Sequence, residues 1–257
     1  MSNRDIAQKE YGQDLPEIVK VVELEETDST NRVAKELAAA GAPEGTLVIA
    51  KKQSMGRGRL GRSFFSPEGG IYMSMVLRPD IPAEKAILVT TCAAVAVARA
   101  IEGVCTEPVG IKWVNDIFIR KKKVCGILAE GGLLSEAEGF SYIVLGIGIN
   151  VEPQAVPEEL KYIVGCLEEY TSQTVLKDDL ICAVWREFFS FYKNLSTDVY
   201  MDEYRERSVL IGKEVTVYAA QGEYKALVTD IDKEGRLGIK QGDREEYLYS
   251  GEISVRL

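Results

Sequence analysis

Gly56-Arg57-Gly58-Arg59-Leu60-Gly61-Arg62-Ser63, continuing as Phe64-Phe65-Ser66-Pro67-Glu68-Gly69-Gly70, is the stretch on which the fold class turns. It contains GxGxxG at Gly56, Gly58 and Gly61, and approximates GxxxxGK[ST] with Arg62 in the lysine position. Both patterns require the last glycine to open a helix whose N-terminus faces phosphates, as part of a parallel nucleotide-binding sheet. Pro67, followed by Gly69 and Gly70, forbids a regular helix there. Both motif matches are therefore rejected. What remains is a loop with three arginines set among three glycines. Glycine lets backbone approach a ligand closely, and arginine offers bidentate hydrogen bonds to carboxylate or phosphate.

Outward from this loop, the pattern predicts strands over Ile18–Leu24, Thr46–Ala50 and Gly70–Leu77. A helix is expected over Asn31–Ala40, with Ser29 and Thr30 in capping positions and Gly41 as its stop. Pro82–Glu102 has the length and alanine content of one core helix. Ile111–Ile119 and Val124–Glu130 read as a β-hairpin turning through Arg120–Lys123, and Tyr142–Val151 as a glycine-punctuated strand. Leu176–Tyr204 is helical by periodicity, while residues 157–175 give no clear pattern. After Leu210, glycines separate short alternating runs such as Glu214–Ala219 and Tyr224–Val228, suggesting a small β-barrel or sandwich. The expected fold is α+β: a mixed β-sheet with helices over residues 1–208, then a small C-terminal β-barrel over 209–257.

Composition narrows the chemistry. A chain of 257 residues, 46% hydrophobic, can bury a substantial core. It has no histidine, which removes Ser-His-Asp and Cys-His catalysis and the common zinc sites. The five cysteines form no CxxC pair and read as small buried hydrophobes of a reducing cytoplasm. Met1–Leu15 lacks a signal-peptide pattern, and the apolar run Ile87–Ala98 is too short to span a membrane. A net charge of −9 argues against nonspecific nucleic-acid binding. The basic islands Lys51–Arg62 and Arg120–Lys123 then point to a small anionic ligand, although charge runs are often solvated turns.

Several ordered segments carry a more specific likeness. Lys52–Arg62 with Ser66-Pro67 resembles the biotin-binding loop of biotin–protein ligases, and Asp28-Ser29-Thr30-Asn31 that family's first ligand-binding segment. Lys112-Trp113-Val114-Asn115-Asp116 is similar to its KWPND motif, with Val114 where proline is usual. Lys123–Leu128 resembles its lysine-to-GIL strand, Gly146–Asn150 its G-x-G-I-N strand end, and Ser250–Ser254 the close of its C-terminal barrel. Phe64 stands where tryptophan is usual; for both departures only packing consequences are expected. Twenty-seven residues precede Asp28, too few for the DNA-binding domain of some members, so a ligase without repressor activity is expected.

The resemblance implies ATP-dependent attachment of biotin, through biotinyl-5′-adenylate, to a lysine of a biotin carboxyl carrier domain of acetyl-CoA carboxylase or a related carboxylase. It implies Lys123, Arg57 and Arg59 as the catalytic cations and Arg62 nearer the pyrophosphate. Ser29, Thr30, Asn31 and Gln53 would meet the ureido ring. Gly56 and Gly58 would bring backbone to the ligand, Tyr72 would line biotin, and Gly126 and Leu128 would form an apolar wall. Lys112, Asn115 and Asp116 would serve ATP, with Asp116 on Mg²⁺, and Asn150 would contact adenine. Lys121 and Lys122 read as solvated turn charges. Neither DNA nor membrane is expected as a partner, and oligomeric state stays open, a homodimer among the options. A lipoate–protein ligase of the same architecture and a non-catalytic biotin binder are the alternatives.

Overall fold

Along Ile71–Leu77 (β3) all seven side chains are buried, so this strand lies inside a sheet covered on both faces. The computed structural model, which describes residues 15–135, 139–197, 199–219, 222–249 and 254–256, places it so. With β1 (Lys20–Thr27), β2 (Thr46–Gln53), β4 (Val109–Lys112), β5 (Asp116–Ile119), β6 (Lys122–Ser135) and β7 (Gly139–Ile149), it forms a seven-stranded sheet ordered β1-β2-β3-β7-β6-β5-β4. β1 and β2 are parallel, joined by α1 (Thr30–Ala39), and the remaining neighbours are antiparallel.

The two faces of this sheet are finished differently. Ile71, Met73, Met75, Ile127, Leu145 and Ile147 point into the main core, where α2 (Ile87–Glu102) and α3 (Lys177–Tyr192) cover them. On the other face, Val48, Val76 and Val144 pack against Ala34 and Ala38 of α1. That helix covers only part of its face. Beyond it β6 and β7 present Gly126, Gly146 and Gly148, with Gly126 paired to Gly148 and Leu128 to Gly146. Arg78 fixes the end of α1, donating to the carbonyls of Ala38 and Ala42 at 3.2 and 2.8 Å, as suits a cation at a helix C-terminus.

The remaining chain forms α4 (Met201–Glu206) and a five-stranded antiparallel sheet. Its strands β8 (Glu214–Ala219), β9 (Gly222–Ile231), β10 (Leu237–Gln241), β11 (Arg244–Leu248) and β12 (Ser254–Arg256) are ordered β11-β10-β9-β8-β12. The α+β class with a small all-β C-terminal unit is as expected. Val215, Val228, Ile231 and Leu237 join the same core as α2, and Trp113 Nε1 donates to Gly235 O at 2.9 Å across the junction. Among the described residues no helix is long and apolar enough to cross a membrane. The Ser250–Ser254 segment lies outside the described residues except for Ser254.

Three local expectations need correction, and one unassigned segment gains structure. Pro82 is extended and followed by a 3-10 turn, Ala83–Lys85, so α2 starts only at Ile87. Ile111–Ile119 is not one strand: the chain turns at residues 113–115, with a cis peptide between Trp113 and Val114, and returns as β5. The helical pattern over residues 176–204 divides into α3, a 3-10 turn at Leu195–Thr197, and α4. The patternless 157–175 segment holds 3-10 turns at Glu158–Leu160 and Leu167–Glu169.

Candidate active site

Above the glycine-lined part of the sheet lies a cleft of 1240 Å³. It brings together Ser29, Thr30, Asn31, Gln53, Arg57, Gly58, Arg59, Arg62, Lys112, Asn115, Asp116, Lys123, Gly126, Leu128 and Asn150. Two expected residues are elsewhere. Tyr72 is 1% exposed, and its hydroxyl donates to Pro67 O at 2.7 Å; it reaches the cleft only by packing edge-on against Phe64. Gly56 sits at the loop base, where a Cβ would lie 2.3 Å from Phe64 O. That crowding explains the glycine without any ligand.

The neutral end of the cleft is a chain of hydrogen bonds. Ser29 occupies the N-cap position of α1 with extended backbone, but its hydroxyl makes no capping bond. The expected side-chain capping therefore fails at Ser29, which lines the cleft. Gln53 Oε1 accepts from Thr30 N at 2.8 Å and lies 3.1 Å from Thr30 Oγ1. Gln53 Nε2 donates to Ser66 Oγ at 2.9 Å, and that hydroxyl donates to Phe64 O at 2.9 Å. Asn31 Nδ2 donates to Leu128 O at 3.3 Å and Glu130 Oε2 at 2.9 Å. Ser74 Oγ lies 2.6 Å from Asn31 Oδ1 and 2.8 Å from Thr30 Oγ1. Glu130 lies on the same face of β6 as Gly126 and Leu128. Burial works to raise its pKa, but the Asn31 hydrogen bond and the charges of Lys35 and Arg57 outweigh it and hold the carboxylate below its usual range.

The charged end starts at a β-bulge. Ile117 pairs with Cys125 but Phe118 pairs with Lys123, leaving Val124 as the extra residue. Val124 and Cys125 both enter the core, and Lys123 is turned onto the cleft side with Gly126. Simple alternation would have sent Lys123 inward. Its Nζ lies 2.6 Å from Asp116 Oδ1 and 5.6 Å from the Phe64 ring centre, with side-chain exposures of 23% for Lys123 and 26% for Asp116. Lys121 is exposed and Lys122 pairs with Glu169 at 3.4 Å, in line with turn charges.

The glycine–arginine loop folds back on itself. Arg57 bridges Ser63, Gly58 N donates to Arg62 O at 2.7 Å, and Leu60 and Gly61 adopt positive φ of 56° and 72°. Its arginines differ in setting. Arg59 is partly buried, pointing at Asn115 Oδ1 at 3.5 Å, and burial lowers its pKa against the opposing charge of Asp116. Arg57 stays at the rim, 3.7 Å from Glu130 Oε1. Asn115 Nδ2 donates to Ile127 O at 2.6 Å, and Asn150 Nδ2 to Gly165 O at 3.1 Å. Phe64 packs against the glycine strip: Cβ atoms at Gly126 and Gly148 would lie 3.0 and 2.5 Å from its ring. Trp113 anchors the second sheet, although its edge also lines the cleft.

No group of three or more His, Cys, Asp or Glu among the described residues could hold a metal. Asp116 is a single cleft carboxylate. This fits an ion carried in by a nucleotide, because Mg²⁺ takes one or two carboxylates and fills its shell with phosphate and water.

Sequence comparison gives the same picture. Residues 23–150 match the Biotin/lipoate A/B protein ligase family, and residues 210–256 the Biotin protein ligase C terminal domain. The Bifunctional ligase/repressor BirA of Bacillus subtilis (strain 168) is 36% identical over 233 residues, 88% of this chain and 71% of that protein. The Biotin--[acetyl-CoA-carboxylase] ligase of Mycobacterium tuberculosis (strain ATCC 25618 / H37Rv) is 31% identical over 238 residues, covering 89% and 86% of the two chains. Among solved structures, the biotin protein ligase from Aquifex aeolicus in complex with biotin and ATP superposes with a TM-score of 0.78. It is 28% identical, over 92% of this chain and 98% of that one. On fold, cleft and likeness together, the chain belongs to the biotin protein ligase family.

Proposed function

We infer that this chain ligates biotin to a lysine of a biotin carboxyl carrier domain at the expense of ATP. The observation that carries the reading is the division of one cleft into a neutral, hydrogen-bonded end and an end holding Lys123, Arg57 and Arg59 over a floor of glycines. A ureido ring suits the first and a carboxylate meeting a triphosphate suits the second. The finer assignment of the carrier, to acetyl-CoA carboxylase or a related carboxylase, rests on the chain's likeness to ligases of that name.

In the first half-reaction a biotin carboxylate oxygen attacks the α-phosphorus of ATP. The bond to the bridging oxygen breaks, and pyrophosphate leaves with that electron pair. In the second, the carrier lysine amine attacks the acyl carbon of biotinyl-5′-adenylate, AMP departs, and the amine loses a proton. The enzyme supplies no nucleophile, consistent with a chain that lacks histidine.

Its work is electrostatic. Like-charge repulsion between carboxylate and triphosphate opposes the approach, and preorganised cations offset it. Lys123 is assigned to bridge the carboxylate and an α-phosphate oxygen, and Arg59, already partly buried, to hold the phosphate. Arg57 and Arg62 close over the ligand from the rim. When an anion takes Lys123, Asp116 is released and becomes the carboxylate available to Mg²⁺. Such an ion would neutralise charge on the phosphates, and Lys112, Asn115 and Asn150 are left to orient the nucleotide. We also propose a functional division at residues 208/209, with Ser208, Val209, Ile211 and Lys213 at that junction lining the cleft.

Biotin-dependent exchange of pyrophosphate into ATP tests the reading. Exchange with biotin, and not with lipoate, is expected in the wild-type chain. Exchange with lipoate alone would move the assignment to the sister activity, and none with either acid would leave a non-catalytic binder.

A further inference from the structure

We propose that Ser74, which does not line the cleft, sets the hydrogen-bond polarity of its neutral end, making Thr30 Oγ1 and Gln53 Oε1 acceptors for a ligand with paired N–H groups. The inference rests on the biotin reading above for the identity of that ligand, and deepens it by naming a positioning residue.

Ser74 is 0% exposed in the middle of β3, opposite Val48 of β2 and Gly146 of β7. A hydroxyl there costs stability unless bonded, and isosteric alanine would fit the all-apolar strand better. Its partners account for its presence. Asn31 Nδ2 faces two groups that can only accept, Leu128 O and the Glu130 carboxylate. The carboxamide therefore cannot flip, and Asn31 Oδ1 must accept the single Ser74 proton at 2.6 Å. A Cβ at Gly146 would lie 1.9 Å from Asn31 Oδ1, so this approach also depends on the glycine opposite Ser74.

With that proton spent, the 2.8 Å contact between Ser74 and Thr30 needs a hydrogen from Thr30. The Thr30 hydroxyl therefore points away from the cleft, leaving its lone pairs toward it. Gln53 is equally constrained: Oε1 accepts from Thr30 N, and flipping the amide would set donor against donor. Ser66 accepts from Gln53 Nε2 and passes its own proton to Phe64 O. Gln53 Oε1 thus keeps one lone pair unclaimed by Thr30 Oγ1. The cleft offers two acceptors side by side, with the uncapped Ser29 hydroxyl nearby as a donor. A ureido ring, with two N–H groups and one carbonyl, is the complement.

In Ser74→Ala the Thr30 hydroxyl loses its acceptor and turns to Gln53 Oε1, 3.1 Å away, which takes up the Gln53 lone pair left for the ligand and swings the Thr30 lone pairs out of place. Titration calorimetry of the full chain with biotin, 1′-N-methylbiotin and ATP reads this. Biotin affinity is expected to fall about fivefold to tenfold, the scale of one neutral hydrogen bond. ATP affinity should stay within about twofold, and the preference for biotin over its N-methyl analogue should shrink by the same factor as biotin affinity. A role confined to packing would weaken both acids in step, and that result, or no loss, would overturn the proposal. So would a wild-type chain with no preference between them. If Ser74→Ala fails to fold, Ser74→Cys, with a weaker donor and acceptor, should show a smaller narrowing in the same direction. Absence of pyrophosphate exchange despite intact discrimination would sink the ligase reading and leave the Ser74 assignment standing.

Discussion

At the Thr30 end of the cleft every described contact joins neutral groups until the chain reaches Glu130, and those contacts already fix which groups donate and which accept. At the Lys123 end the cations rest on the protein's own acids, Lys123 on Asp116 and Arg57 on Glu130. The contrast separates two ways of preparing a site. Neutral polar groups can be fixed in advance at little cost, because each donor finds an acceptor within the fold. Cations collected for an anionic ligand repel one another, and carboxylates keep them together until the ligand arrives. Binding at one end should therefore resemble docking, and at the other an exchange of ion pairs.

The sharpest break of this contrast is Lys123→Ala. It removes the central cation and strands Asp116 beside the phosphates, so biotin-dependent pyrophosphate exchange should fall on the order of 10²–10³-fold with folding stability nearly unchanged. An exchange rate within a few-fold of wild type would remove Lys123 from its role.

Gly146→Ala attacks the opposite end. The new methyl would collide with Asn31 in the interior of the sheet, and a loss of about 1–3 kcal/mol in urea denaturation is expected together with weakened biotin binding. Unaltered stability would mean that α1 can shift, and that the neutral end is less fixed than its hydrogen bonds suggest.

Two arginine variants compare the settings within the loop. Arg59→Ala should cost roughly 2 kcal/mol of ligand binding, as for a charge-assisted hydrogen bond, and Arg57→Ala less than about 1 kcal/mol. Of the two, the Arg57 effect should fade with added salt, because Arg57, unlike Arg59, lies exposed at the rim. Calorimetry across a salt series would show it; equal losses would erase the distinction.

The smallest effect is with acid. Because the folded Glu130 pKa is depressed, its contribution is complete above the ordinary value of 4.5 and lost as pH falls through the lower folded value. Biotin affinity should be flat through neutrality and decline only at the acid end. In Glu130→Gln that decline should be shallower, leaving the part owed to protonation of the ligand's own carboxylate. A decline already present near neutral pH would point to another group.

Much of the charged end was legible in the chain, because its residues sit in short runs: the glycine–arginine loop, Lys112–Asp116 and Lys123–Leu128. What escaped was contact across sequence. Glu130 meets Asn31 from 99 residues away and Ser74 meets it from 43, and neither pairing has a local signature. Partial signals existed. Ser74 is a small polar residue in the apolar run Ile71–Leu77, and Glu130 shares the alternation of Gly126 and Leu128. The division of Ile111–Ile119 into two strands escaped because Trp113 and Val114 have strand propensity, and only the tertiary turn overrides it. What Phe64 packs against escaped because the glycines it covers are 62 and 84 residues away in sequence.

The glycine floor beside α1 also has a thermodynamic meaning. Phe64 and Asn31 cover these glycines only as side chains at the wall of a cleft, and a small bicyclic ligand in that cleft would complete the layer above them. Occupancy and folding are then linked by mass action. At a ligand concentration one hundred times Kd, the native state would gain about 2.7 kcal/mol over the unfolded chain. A substrate that completes the interior in this way would protect its own enzyme from unfolding, and the protein's lifetime would follow the supply of the molecule it consumes.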